Sequence, residues 1–200
     1  TPTFTKTPTP ITPTATHTPT NTATTAPSVS GHFVYMCRPT GTYQICSMNA
    51  DGPNQATLTT LTTSQDMDQF PDWSPNGTRI AYNSERDAAW GIFVMNANGS
   101  GQTRLTQGYA LRPDWSPDGT KIVFLAYISS NYQISIVNAD GTGLLRLTND
   151  SYSYNYPTWS PNGSKILFFS NQDTNGAIGV VRFGSMNVDG SGQVLTETFR

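Results

Sequence analysis

The chain has 200 residues, a formal net charge of −2 and 12% charged residues, about half the quarter usual in soluble domains. It lacks the basic surface that nucleic-acid phosphates require, and its longest apolar run, Ile122 to Ile128, is too short to cross a bilayer. The acids are 11 Asp against 2 Glu, and Lys occurs 3 times. Glu and Lys cover exposed helix faces while Asp fills turns, so this composition predicts an all-β chain.

In chain order, residues 1–28 come first as a linker. Residues 1–27 hold 13 Thr and 6 Pro. Such a segment cannot bury enough surface to offset its ordering entropy. Its prolines favour an extended, semi-rigid stalk or tether. The chain begins at Thr1 rather than Met and is expected to be a processed or excised piece. Read as stalk or as tether, the Thr/Pro-rich linker points to an extracytoplasmic location: periplasmic, cell-surface or secreted.

Residues 29–200 change character. Pro71-Asp72-Trp73-Ser74-Pro75-Asn76-Gly77 recurs as Pro113-Asp114-Trp115-Ser116-Pro117-Asp118-Gly119 and as Pro157-Thr158-Trp159-Ser160-Pro161-Asn162-Gly163. The tryptophans are 42 and 44 residues apart. Each copy is followed by an Asn-x-Asx-Gly segment (Asn96 to Gly99, Asn138 to Gly141, Asn187 to Gly190), and Asn49 to Gly52 is an earlier copy with no Trp motif before it. Leu105-Thr106, Leu147-Thr148 and Leu195-Thr196 close the units.

Each unit reads as four strands. The first carries the Trp and runs into a Ser-Pro-Asx-Gly turn, where Pro pre-sets one turn position and Gly accepts positive φ. The second strand (Ile80-Ala81-Tyr82, Ile122-Val123-Phe124, Ile166-Leu167-Phe168) is apolar at consecutive positions, which predicts burial on both faces. A period near 42 residues, four strands and two covered faces predict a β-propeller of four-stranded antiparallel blades. The blades fall at 31–62, 69–106, 111–148 and 155–198. The first is partial, with strands near Phe33, Ile45 and Leu58 to Leu61. About four blades make an incomplete ring, which remaining blades beyond Arg200 or a second protomer would complete. The last unit carries five extra residues within 175–183.

These Trp-Ser-Pro-Asx-Gly and Asn-x-Asx-Gly segments, over roughly residues 31–198, resemble the TolB-like propeller repeat, a relative of the WD-repeat family. The resemblance implies radial blades that mostly serve as a binding platform. The family includes the periplasmic TolB protein, the propeller domains of some oligopeptidases and many secreted bacterial proteins.

No catalytic constellation stands out. His32 is the one histidine outside the linker, and no Gly-x-Ser-x-Gly elbow occurs. The expectation is therefore a non-catalytic protein with no cofactor. Asn138-Ala139-Asp140-Gly141 looks like part of a calcium loop, but position one would be Ile136 and position twelve lacks Glu. No metal site is expected. Asp66 and Asp68 have no counterparts in the other repeats and are carried as partner-binding candidates. A hairpin turning at Gly41-Thr42 would pair residue 37 with 46, so Cys37 and Cys46 are disulfide candidates outside the cytoplasm.

The Ser-Pro-Asx-Gly and Asn-x-Asx-Gly turns share one rim. The opposite rim is irregular in length and carries Trp90, Tyr109, Tyr127, Tyr132, Tyr152 and Tyr154, with Tyr156 at its edge. Aromatic residues on variable loops of a rigid scaffold are where partners dock. The expected partner is a protein or peptide. A glycan-binding module, or an accessory propeller of a larger secreted hydrolase or peptidase, is the alternative.

Overall fold

Each Ser-Pro-Asx-Gly segment folds into a turn that caps itself. In the computed structural model, the Ser116 hydroxyl donates to Asp118 Oδ1 at 2.6 Å and accepts from the Lys121 amide at 2.9 Å. Asp118 Oδ1 also takes the Thr120 amide at 2.9 Å. The same bonds recur around Asn76 and Asn162. A short side chain thus satisfies the backbone groups that the reversal leaves unpaired. The structure describes residues 31–39, 41–49, 59–63, 65–86, 89–171 and 182–196. The linker over 1–28 and most of the expansion within 175–183 lie outside them.

The strands form four antiparallel sheets of consecutive neighbours. The first contains β1 (His32–Cys37), β2 (Gln44–Asn49) and β3 (Thr59–Thr60). The second contains β4 (Asp68–Trp73), β5 (Arg79–Ser84), β6 (Gly91–Asn96) and β7 (Thr103–Arg104). The third contains β8 (Ala110–Trp115), β9 (Lys121–Ile128), β10 (Asn131–Asn138) and β11 (Leu145–Arg146). The fourth contains β12 (Tyr154–Trp159), β13 (Lys165–Ser170), β14 (Arg182–Asn187) and β15 (Val194–Leu195). Sheets meet in chain order through their first strands, with β4 against β8 and β8 against β12, so these strands line the inner side of an arc. Among the described residues the fourth sheet does not close onto the first, and no closed ring forms.

Between sheets lie the apolar clusters. Trp115 packs with Ala81, Ile92 and Val94 of the preceding sheet, and Trp159 packs with Val123 and Ile136 of the one before it. Each Trp is also held by its backbone. The Trp115 amide donates to Asp72 Oδ2 and the Trp159 amide to Asp114 Oδ2, both at 2.8 Å. The fourth sheet has Thr158 at the corresponding place, and its hydroxyl donates to Asp114 at 3.0 Å.

The closing Thr has its own structural task. The amide of Ile92 donates to the buried Thr106 hydroxyl at 2.9 Å, and the Ile45–Thr62 and Ile134–Thr148 pairs repeat it. Strand four is short, and the hydroxyl supplies the acceptor that a longer ladder would have provided. Thr106→Val leaves that buried amide unpaired and is expected to lower stability by about 1–3 kcal/mol. Thr196, exposed and donating to the Phe183 carbonyl, is the control. Urea melts of Thr196→Val should move by less than about 0.5 kcal/mol.

Two expectations need correction. The second strand is not buried on both faces in every sheet. Ala81 and Val123 are fully buried, but the matching Leu167 is 43% exposed, because no further sheet packs on it among the described residues. The Cys hairpin register is also shifted by two. Cys37 pairs with Gln44 and Tyr35 with Cys46. The ladder ends at Cys37, and a wider loop follows, closed by the Arg38 guanidinium on the Gly41 carbonyl at 2.9 Å. Cys37 and Cys46 remain diagonal neighbours on one face, with Cα atoms 5.9 Å apart, and are joined as a disulfide.

The inner strands hold a feature the repeat did not announce. Each has a bulge, between Gln69 and Asp72, Leu111 and Asp114, and Asn155 and Thr158. At each bulge a residue other than glycine takes left-handed φ: Phe70 at 51°, Arg112 at 56° and Tyr156 at 48°. All three precede a proline, which itself disfavours compact backbone at the residue before it. Such conformations cost on the order of 1–3 kcal/mol each. Pro is tolerated there because a bulge needs no ladder donor.

Candidate functional site

Four side chains from three loops and strands meet on the irregular rim. Trp90 lies on the loop before β6, Tyr109 on the loop before β8, and Tyr127 and Tyr132 face each other across the β9–β10 hairpin. The rings form a continuous set. Centroids are 6.1 Å apart for Trp90–Tyr109, 5.7 Å for Tyr109–Tyr127, 6.4 Å for Tyr109–Tyr132 and 5.1 Å for Tyr127–Tyr132. These separations and tilted planes suit the ring quadrupoles.

Local chemistry holds each piece. The β9–β10 hairpin is two residues longer on each strand than its counterparts in the second and fourth sheets, so Tyr127 and Tyr132 stand beyond the body of the arc. Its turn residues Ser129 and Ser130 have φ of 50° and 70°, the signs of a type I′ turn built without Asn-Gly. The Trp90 loop is pinned from below. Arg104 donates to the carbonyls of Arg86, Ala89 and Trp90 at 3.2–3.4 Å, and to that of Thr106 at 2.8 Å. Gly91 permits this, since a Cβ there would lie 2.8 Å from Arg104 Nε.

Tyr109 and Tyr127 are 40% and 48% exposed. The Tyr109 phenol is pushed above its ordinary value, by burial first and then by Tyr132 beside it. It therefore stays protonated at neutral pH and can donate a hydrogen bond. The tyrosines, with Ser130, Asn131, Ser153 and Asn171, border an open cavity of about 630 Å³. An apolar ring wall with amide and hydroxyl groups at its edge can take a side chain and hydrogen-bond its backbone.

The remaining candidates go elsewhere. Tyr154 is 1% exposed: it meets Phe168 edge-on at 5.3 Å, and its hydroxyl donates to Asp150 at 2.6 Å. It belongs to the packing between sheets, which corrects its placement on the rim. Tyr152 is half-buried against the same cluster. Asp68 is fully buried and pairs with Arg86 at 3.5 Å, so it presents no carboxylate to a partner. Its location at the start of an inner strand, opposite Ser84, puts it inside the sheet. Asp66 is half-buried. Asp140 accepts the amide and hydroxyl of Thr142, as a turn-capping side chain does. Among the described residues no group of three or more His, Cys, Asp or Glu is placed to hold a metal ion, and no helix is long and apolar enough to cross a membrane.

Four-stranded antiparallel sheets set around a common inner edge, with a loop rim on one side, define the propeller class. Within it, a family model for the TolB beta propeller domain matches residues 15–197, and the chain belongs to that family. Its structure is similar to that of a putative TolB from Agrobacterium tumefaciens, with 27% identity and a TM-score of 0.73 over 84% of this chain and 61% of that one. It is also similar to TolB from Acinetobacter baumannii, with 22% identity and a TM-score of 0.67 over 82% of this chain and 41% of that one. A puromycin hydrolase shares the fold at 9% identity and a TM-score of 0.64, over 84% of this chain and 27% of that one. The chain thus spans between about four and six tenths of the two TolB structures. No curated protein matches it at a significant level.

Proposed function

We propose that this protein is a non-catalytic, extracytoplasmic binding scaffold that engages a protein or peptide partner through the Trp90–Tyr109–Tyr127–Tyr132 surface. Its propeller fold supports a protein-interaction role. The observation that carries the finer reading is the ring set itself: four aromatic residues from three segments converge on one rim, held by a strained turn and by Arg104. Rigid aromatic groups contribute large contact area at small entropic cost. The Cys37–Cys46 bridge and the Thr/Pro-rich linker support a location outside the reducing cytoplasm.

The test places a photo-crosslinking amino acid at position 127, and at position 162 on the turn rim as comparison. Partner adducts should form at 127 and not at 162. Tyr109→Ala with Tyr127→Ala should then weaken the captured partner at least about tenfold with an unchanged melting curve. Equal crosslinking at both rims, or unchanged affinity, removes the loop surface from the reading. Signal on a glycan array without a protein adduct would make the partner a sugar. A catalytic domain encoded beside this segment would make the scaffold an accessory part of an enzyme.

A further inference from the structure

The inner wall of the arc carries a second arrangement, distinct from the loop rim. The three bulge residues Phe70, Arg112 and Tyr156 lie side by side across the second, third and fourth sheets. The Arg112 guanidinium carbon sits 4.3 Å from the Phe70 ring centroid and 4.1 Å from that of Tyr156. The cation therefore lies between two aromatic rings, within cation–π distance of both. Tyr156 in turn meets Phe169 edge-on at 5.8 Å.

The two rings attract the cation but offer no carboxylate or carbonyl acceptor, so its five N–H donors are left for a ligand. Among the described residues, no hydrogen bond or ion pair engages the Arg112 side chain; its backbone amide alone is bonded, to Asn83. The surrounding groove, about 430 Å³, is lined by the same bulges with their prolines, Pro71, Pro113 and Pro157. Proline brings no N–H, and the Thr158 hydroxyl is already given to Asp114. The Arg112 fork is the strong donor in this groove.

We infer that Arg112, held between Phe70 and Tyr156, is a carboxylate-recognition site on the inner wall of the arc, taking an acidic side group or the free C-terminus of a peptide laid along the groove. A carboxylate matches the fork with two parallel hydrogen bonds. The ring walls and prolines suit the apolar part of the peptide. Asp72 and Asp114 line the same groove with their carboxylates turned to the Trp115 and Trp159 amides; they repel every anion, and a doubly charged phosphate more than a single carboxylate. The backbone supports the assignment too. Three residues kept at left-handed φ aim the three side chains at one place, and strain of this kind gathers where side chains must be aimed.

The test follows the Arg112 Nε–Hε signal in a 15N NMR titration of the whole protein, assigned by its loss in Arg112→Lys. Three peptides are used: N-acetyl-Gly-Glu-Gly-amide, N-acetyl-Gly-Gly-Gly with a free C-terminus, and N-acetyl-Gly-Gln-Gly-amide. At least one carboxylate peptide should shift the signal, while the glutamine peptide should not. The peptide that responds identifies the source as an acidic residue or a terminus. Backbone amide shifts of neighbouring residues should show affinity falling about tenfold in Arg112→Lys, which keeps the charge and loses the fork. Tyr156→Leu, which removes one wall, should also weaken it with the charge intact. An equal response to the glutamine peptide, or unchanged affinity in a folded Arg112→Lys, overturns the inference. Tyr127→Ala should leave this titration unchanged, so its result is separate from that of the loop surface.

Discussion

Trp115→Ala is expected to lower the unfolding free energy by about 3–5 kcal/mol in a urea titration. Trp115 is 5% exposed and lies between the second and third sheets, against Ala81, Ile92 and Val94. Truncation removes the largest side chain of that layer. The gap cannot close easily, because the sheets on either side are fixed by the Asp72–Trp115 backbone bond at 2.8 Å and by the Arg79 guanidinium on the Ala139 carbonyl at 3.0 Å. Trp115→Phe retains much of the packed area and should cost clearly less. A loss below about 1 kcal/mol for Trp115→Ala would mean that the sheets move together over the cavity, and that the Trp repeat is not what holds them apart.

The second large effect is on pH dependence. The Asp72 carboxyl is pushed up to about 6, by burial first, against the Trp115 amide bond that favours its charged form and with the Asp114 charge adding to the rise. Asp114 is raised for the same first reason, burial. A carboxyl that holds its proton more tightly folded than unfolded contributes stability that is complete below the unfolded value near 4. That stability is lost as pH rises through about 6. For a sealed group such a change would be worth roughly 3 kcal/mol; Asp72 is only half-buried, so on the order of 1–2 kcal/mol is expected. The turn aspartates act in the opposite sense. Asp118 is held low by the Ser116 hydroxyl, and Asp140 and Asp189 by the Thr142 and Ser191 hydroxyls. Their contribution is present at neutral pH and lost as pH falls below the ordinary carboxylate range.

Asp72→Asn separates the two. Its amide oxygen still accepts the Trp115 amide, and nothing titrates. Against wild type, the variant should gain stability between pH 4.5 and pH 7.5 and match it at the acid end. Superimposable profiles would show that Asp72 is not the group that holds its proton.

Much of the architecture was legible because it repeats. The Ser-Pro-Asx-Gly turns cap themselves with bonds between neighbours in sequence, so their positions set the strand ends. The tryptophan period then set the number of sheets and the layer where each Trp packs. Register across the Cys hairpin was less legible. Its loop carries no tight-turn signal, and the pairing moved by two residues without separating the cysteines from one face.

The binding surface was half legible. Trp90, Tyr109, Tyr127 and Tyr132 assemble from the loops on which the sequence puts them. Tyr154 and Asp68 do not, because the first residue of an inner strand is buried, Tyr154 against the neighbouring sheet and Asp68 on Arg86, and nothing in composition distinguishes it from the loop residue before it.

By itself, then, the amino-acid sequence determined what depends on neighbours along the backbone: the turns, the strand number, the repeating layers and the membership of an aromatic rim. Tertiary structure alone decided what depends on residues some 40 positions apart. Phe70, Arg112 and Tyr156 are three unlike side chains at equivalent places in three repeats, and no local pattern links them. They become one cluster because each bulge turns its side chain to the same inner edge, where the sheets converge and the cation comes within cation–π distance of both rings.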